Sequence, residues 1–359
     1  MHPAAELLDH AKHLIGAGRR EEARPFLEAA FSMALMEQAA IPAACKVRTA
    51  DQLPLASPAH VLAHVARGYV ILYFRDGVEL TPAMSLAMFG MVARLLSNLA
   101  ARLPDTAARE IIFNFSDGCE VEGDYRRVSF SCSRPDSVLI PDYLFANSAN
   151  YASLRGDPAP WRDRRDTVFW RGAASGRPVS GAKAPWGWHQ RLDLCHHARH
   201  SAHAGRLDIA ITDHLAILDE SDKRRVEAAG FLGLPAPKQE FTRYRYLIDV
   251  DGFSNSWGFL EKLMMGAAVV KVGSAFGYRQ WYYERLEPWV HYAPVAADLS
   301  DFDTVLSRLF ADPAEAERIA ATGRAFALSL DPERELAEAE RRVGEALRPA
   351  EPPATPPAR

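Results

Sequence analysis

YRYLIDVDGFSNSWGFLEKLMMGAAVVKV (244–272) reads as a strand, a loop, a helix and a second strand in succession. YRYLIDVDG (244–252) carries apolar residues up to the acids at its end, as a strand running into a loop does. Apart from Phe253, the residues from Gly252 to Ser256 are small or polar, and a helix is expected to start near Trp257 and run to Gly266. The apolar run AAVVKV (267–272) has the composition of a strand buried on both faces. A helix entered through such a loop turns free backbone N–H groups and the positive end of its dipole toward an anion, so a diphosphate fits there. Ser254, Asn255 and Ser256 are the loop candidates for the diphosphate or the group it carries, with Asp251 at the strand end and Trp257 at the helix start beside them.

The same alternation continues on both sides. TVFWRG (167–172) is a strand ending in a Gly turn, a helix is expected over 187–199, and LDIAIT (207–212) is a strand. Beyond 272, YRQWYYERL (278–286) reads as a helix and WVHYAPV (289–295) as a strand; helices at about 301–311, 313–328 and 332–347 close the fold. Upstream, YVILYF (69–74), EIIFNFSD (110–117), RRVSFSCS (126–133) and SVLIPDYLF (137–145) are strand-like, and 81–102 is an amphipathic helix. The Pro- and Arg-rich NYASLRGDPAPWRDRRD (150–166) has the composition of a linker or domain boundary, and a hinge is expected near it. The expectation is α/β: two Rossmann-like domains with parallel sheets and a cleft between them. Residues 51–160 form the N-terminal domain and 161–347 the C-terminal one. Residues 1–50 add a helical hairpin, for which a cap packed on the main body is a plainer reading than a partner-binding module. The tail 348–359, RPAEPPATPPAR, is expected to be disordered.

Bulk properties exclude several classes. The 359 residues are 48% hydrophobic and 25% charged, enough for two real cores. A net charge of -4 supplies no basic field for nucleic acid. Cys45, Cys119, Cys132 and Cys195 form no Cys-x-x-Cys pair, which suits a reduced compartment. The N-terminus has no apolar signal core, and no apolar run approaches about 20 residues, the length a membrane span needs. A cytoplasmic protein is expected, with room for peripheral contact at an inner membrane.

Five segments come in a recognisable order: IIFNFSDG, SVLIPDY, VFWRGA, YRYLIDVDGFSNSW and QWYYERLEPWVHYAPVAADLSDF. Through them the chain from about 110 to 330 resembles glycosyltransferase family 90. That family includes protein O-glucosyltransferases, fungal capsule-associated xylosyltransferases and bacterial lipopolysaccharide-core glycosyltransferases. The resemblance implies a GT-B fold and an inverting, metal-independent transfer of a glucose- or xylose-class sugar from a UDP-sugar, with no further cofactor. It makes Asp117 the base that deprotonates the acceptor hydroxyl, where an Asp-Gly turn is the plain alternative. It makes Glu261 the acceptor of hydrogen bonds from both ribose hydroxyls of the donor, rather than an ordinary exposed helix residue. Arg171, followed by Gly172, would hold the donor phosphates; an ion pair with one of the acids of 163–166 is the alternative.

One departure stands out. Eukaryotic members carry a basic residue in the first turn of the helix after the loop, where this chain has Gly258. Arg171 or the helix dipole is the expected substitute, and the bacterial branch is favoured. The acceptor is then a growing lipid-linked surface glycan such as lipopolysaccharide core. A protein that kept the fold and binds sugar nucleotides or glycans without turning them over is the non-enzyme alternative.

Two patterns suggest metals and are weighed against them. Asp249-Val250-Asp251 is a D-x-D at the end of a buried strand, where alternation is expected to turn one acid from the other. His196 and His200 share a helix face, but no H-e-x-x-H-type carboxylate accompanies them.

Overall fold

In a computed structural model the described residues are 3–36, 43–49, 60–74, 82–115, 127–146, 148–176, 190–213 and 219–349. The chain is α/β and divides into two compact units, Met1–Asn147 with Pro332–Arg359, and Ser148–Asp331.

The first unit opens with α1 (Pro3–Gly16) and α2 (Arg20–Met36), followed by β1 (Ala44–Thr49), β2 (His60–Ala66), β3 (Tyr69–Phe74) and α3 (Pro82–Arg102). β4 (Arg109–Asn114), β5 (Arg127–Ser129), β6 (Val138–Leu139) and α4 (Tyr143–Ala146) complete this first pass. The helical hairpin belongs to the unit's core. Phe31 of α2 stacks on Phe74 of β3 at 4.5 Å between ring centroids and lies 4.6 Å from Phe89 of α3. The sheet order is β1-β3-β2-β4-β5-β6. It is mixed rather than purely parallel: β2 runs antiparallel to both β3 and β4, whereas β4, β5 and β6 are mutually parallel. β2 was not anticipated, because its two histidines, His60 and His64, dilute the apolar pattern of HVLAHVA.

The second unit holds β7 (Arg165–Gly172), α5 (Gln190–His200), β8 (Leu207–Ile211), α6 (Glu220–Ala228), α7 (Lys238–Phe241) and β9 (Tyr244–Asp249). α8 (Phe259–Met264), β10 (Ala268–Val272), β11 (Ala293–Val295), α9 (Phe302–Ala311) and α10 (Pro313–Ser329) follow. All five strands are parallel, in the order β11-β10-β9-β7-β8. Both faces are covered. Val168, Trp170, Tyr246, Ile248, Val270 and Val272 enter one core with α5, α6, α9 and α10, and Phe169 and Leu247 enter a second core on the opposite face. Numbered within the unit, the order is 2-1-3-4-5, one of the two common doubly wound arrangements. Its switch point lies between β7 and β9, where chains leave the carboxyl ends of neighbouring strands in opposite directions. Ligands of open α/β sheets bind at that point.

Several boundaries differ from expectation. The boundary between the units falls just before 150–166, at Asn147/Ser148, and these residues belong to the second unit rather than forming a free linker. Arg164 donates to the carbonyls of Ala159 (2.9 Å) and Gly266 (2.6 Å), and Arg324 donates to those of Leu154 and Gly156, pinning the segment down. The final helix, α11 (Pro332–Ala346), with the short β12 (Arg348–Pro349) beside β4, returns to the first unit rather than closing the second. Glu340 of α11 accepts from Asn98 at 2.6 Å and from Arg102, both on α3. Where a helix was expected over 278–286 there is a 3-10 turn, Tyr283–Arg285, and the strand expected from Trp289 begins only at Ala293. Trp289 has a φ of 63°, a left-handed conformation incompatible with a strand. Of the tail, Arg348 and Pro349 are described; the rest lies outside the described residues. No described helix is long and apolar enough to cross a membrane.

Candidate functional site

Strand alternation and register build a charged cluster at the end of β9. Asp249 and Asp251 are two residues apart, so their side chains share a face rather than turning apart. β10 pairs in register with β9 so that Lys271 stands opposite Asp249. Lys271 Nζ lies 2.8 Å from Asp249 Oδ2 and 2.8 Å from Asp251 Oδ1. From α8, Lys262 Nζ reaches Asp249 Oδ1 at 2.6 Å. All four side chains are buried. Burial alone would push the Asp249 carboxyl up, but Lys262 and then Lys271 outweigh it and hold it at about 2. Burial likewise opposes the charge on Lys271, and Asp249 and Asp251 override it, raising the ammonium above its ordinary range. The D-x-D therefore already carries two ammonium groups. Among the described residues no group of three or more His, Cys, Asp or Glu has metal-ligand geometry.

The loop after β9 sits over this cluster. Ser256 donates its backbone N–H to Asp251 Oδ1 at 3.1 Å, and Gly252 donates to the Ser254 carbonyl at 2.9 Å. Asn255 is 2% exposed, yet neither its Oδ1 nor its Nδ2 meets a partner among the described residues, and Asp251 Oδ2 is in the same condition. Leaving such buried groups unmade costs about 1–3 kcal/mol each, and a water or a ligand can supply the partner. Ser254 and Ser256 are buried, Trp257 is partly buried, and Phe253 is 38% exposed. α8 starts at Phe259, two residues later than expected, and spans only six residues, so Trp257 and Gly258 belong to the turn before it. Glu261 is 9% exposed and accepts from Lys238 of α7.

The other arm of the switch point is the segment after β7. Gly172 is sterically required, since a Cβ there would stand 2.6 Å from the Trp170 ring. Arg171 is not brought to the loop. Its guanidinium faces β8, donating to the carbonyls of Trp170 and Asp208 at 3.0 Å each, to Asp208 Oδ1 at 2.6 Å and to the Leu234 carbonyl at 3.2 Å. Its ion partner is Asp208, not an acid of 163–166. Arg191 of α5 stands where Arg171 was expected. It donates to the Asp251 carbonyl (3.0 Å), the Ala173 carbonyl (3.0 Å) and Ser175 Oγ (2.5 Å), stapling the segment after β7 to the loop after β9. Nothing in the local sequence around Arg191 announces this, because α5 is polar on most of its surface. Asp117 lies outside the described residues, as does Cys119. His196 and His200 share their face as expected, with ring centroids 4.2 Å apart, and His200 Nδ1 lies 2.9 Å from the His196 carbonyl.

Comparison with known proteins agrees with the segment order. The model for glycosyl transferase family 90 matches residues 72–333. Protein O-glucosyltransferase 2 of Danio rerio is 31% identical over 181 residues, covering 50% of this chain and 32% of that protein. Protein O-glucosyltransferase 1 of Rattus norvegicus is 25% identical over 213 residues, covering 53% of this chain and 52% of that one. The matches thus span about a third to a half of the length of these curated relatives. A crystal structure of Anabaena HepE with UDP-glucose is similar at a TM-score of 0.37 and 11% identity over 76% of this chain and 77% of that one, a likeness too loose to carry an argument. The family match runs from β3 to the first residues of α11, most of the chain, and so this protein belongs to glycosyltransferase family 90.

Proposed function

We propose that the second unit binds a UDP-sugar at the β7/β9 switch point and that the protein transfers the sugar, with inversion, to a hydroxyl of a glycan. The observation that carries this reading is the loop 251–256. It lies at the doubly wound switch point and holds buried amide and carboxylate atoms without protein partners. In this reading Ser254, Asn255 and Ser256 meet the diphosphate or the sugar, and Glu261 accepts from the ribose hydroxyls. Asp117 takes the proton of the attacking hydroxyl as the bond from the anomeric carbon to the diphosphate breaks. The transfer proceeds without a metal. Support comes from the two lysines on Asp249 and Asp251, which a divalent cation would have to displace. A lipid-linked surface glycan such as lipopolysaccharide core is the acceptor we infer, on the cytoplasmic face of a membrane. The relatives named protein O-glucosyltransferase make a protein hydroxyl the competing acceptor, and an acceptor screen should carry both.

The test is calorimetric titration with UDP, GDP and CMP in chelator, for the wild type and Glu261→Ala. Binding of UDP alone, lost in the variant, is expected. A wild type that binds no nucleotide would remove the donor site, and binding that needs a divalent cation would remove metal independence.

A further inference from the structure

The loop has several cations around it, and they are not equally committed. Arg171 faces β8 and is not among them, and Arg191 is clamped to backbone carbonyls. Lys238 is paired with Glu261, and Lys271 is held between two carboxylates. Lys262 differs. Its one carboxylate partner, Asp249, is shared with Lys271, and its other polar neighbour is Ser256 Oγ at 3.5 Å. If Lys262 swung away, Asp249 would still have an ammonium. The direction in which it could swing is set by Gly258. A Cβ at that position would lie 3.3 Å from Lys262 Nζ, 3.8 Å from its Cε and 3.9 Å from Ser256 Oγ. The chain thus places a buried ammonium, whose carboxylate partner is also served by Lys271, directly beside a residue with no side chain, at the partly exposed edge of the loop.

Resting on the reading of this loop as a donor site, we propose that Lys262 is the diphosphate-binding cation, reaching the ligand past Gly258 by exchanging Asp249 for a phosphate oxygen. The ammonium keeps its proton throughout and donates it in a hydrogen bond. As the bond to the anomeric carbon breaks, its electron pair goes to the diphosphate, and Lys262 meets the charge that gathers there. The lysine is already buried, so moving it to the ligand adds little desolvation cost, and the ion pair it leaves is offset by the new bond to phosphate and by Lys271, which stays on Asp249. The donated bond is charged at both ends and correspondingly strong.

The test uses the full-length protein and two probes, UDP and uridine, titrated calorimetrically into the wild type, Lys262→Met, Lys262→Arg and Gly258→Ala. Loss of one charge-assisted bond weakens binding by about 10- to 100-fold. That loss is expected for UDP with Lys262→Met, with uridine affinity moving less than about twofold. Lys262→Arg is expected to keep most of the UDP affinity. The atoms nearest to a Cβ in Gly258→Ala belong to the Lys262 side chain and Ser256 Oγ, none closer than 3.3 Å, so the variant should melt like the wild type and still bind UDP several-fold more weakly. It carries the test if Lys262→Met does not fold. Unchanged UDP affinity in Gly258→Ala and Lys262→Met, or equal weakening of UDP and uridine, would overturn the assignment of Lys262 alone. A wild type that binds neither probe would bring down the donor site itself, and Lys262 with it.

Discussion

Replacing Lys271 by Met keeps the length of the side chain and removes its charge. In the wild type Lys271 Nζ serves Asp249 and Asp251 at 2.8 Å each, and all three side chains are buried. Without it, Asp249 keeps Lys262, but Asp251 keeps only the Ser256 N–H. Breaking a buried pair by removing one partner costs about 3–5 kcal/mol. At about 2–4 °C per kcal/mol for a unit of this size, the melting temperature at pH 7 should fall by about 6–20 °C. The sign of the pH dependence adds a second check. Lys271 is one of the two cations that hold the Asp249 carboxyl at about 2, so in the variant that carboxyl moves back up toward its unfolded value. The deficit should therefore be largest at pH 7 and shrink as pH falls from the unfolded carboxylate range near 4 toward 2. In the wild type, Asp249 stabilises the fold above the unfolded value near 4 and loses that contribution as pH falls toward 2. Thermal melts of both proteins between pH 7 and 2 measure the gap, and Asp251→Asn in the Lys271→Met background should close most of it. A deficit under about 1 kcal/mol at pH 7, or one that does not change with pH, would refute the reasoning.

Arg171→Met should lower stability by about 2 kcal/mol, because the strand-to-strand bonds to Asp208 are lost. UDP affinity, read by calorimetry, should stay near wild type, whereas a large loss would return Arg171 to the phosphates. Gly323→Ala puts a Cβ 2.4 Å from the His291 carbonyl oxygen and 3.0 Å from Leu263 Cδ2, so chemical denaturation should show a loss of about 1–3 kcal/mol. Asp117→Asn should cut turnover by about 10²- to 10⁴-fold once a donor and acceptor are found, with UDP binding intact. Unchanged turnover would displace Asp117 as the base.

The second unit was largely legible because buried parallel strands are continuous apolar runs that end where ligands sit. VFW, YLI and AVVKV stand out against polar loops, and the strand ends at Gly172 and Asp251 were placed within a few residues. Misreadings came where tertiary contacts override local pattern. YRQWYYERL (278–286) reads as a helix, yet Trp281 and Tyr282 are buried and the chain takes only a 3-10 turn at Tyr283–Arg285. At the site, sequence spacing could find the acids and the loop but not their partners. That Lys271 faces Asp249 depends on strand register, and that Lys262 folds back toward Asp249 depends on how α8 packs. Arg171 looked poised for a phosphate beside its Gly turn. Alternation along β7 instead gave it the face of Phe169, over whose ring its guanidinium lies at 4.7 Å, while an arginine from another element took the position at the loop.

The return of α11 to the first unit bears on how the molecule is made. The second unit is one uninterrupted length of chain, but the first is written in two pieces on either side of it. During synthesis the second unit emerges whole while α3 still waits for the helix whose Glu340 holds Asn98 and Arg102. On the ribosome the later unit can therefore close first, and the earlier one is completed by α11, which emerges after it.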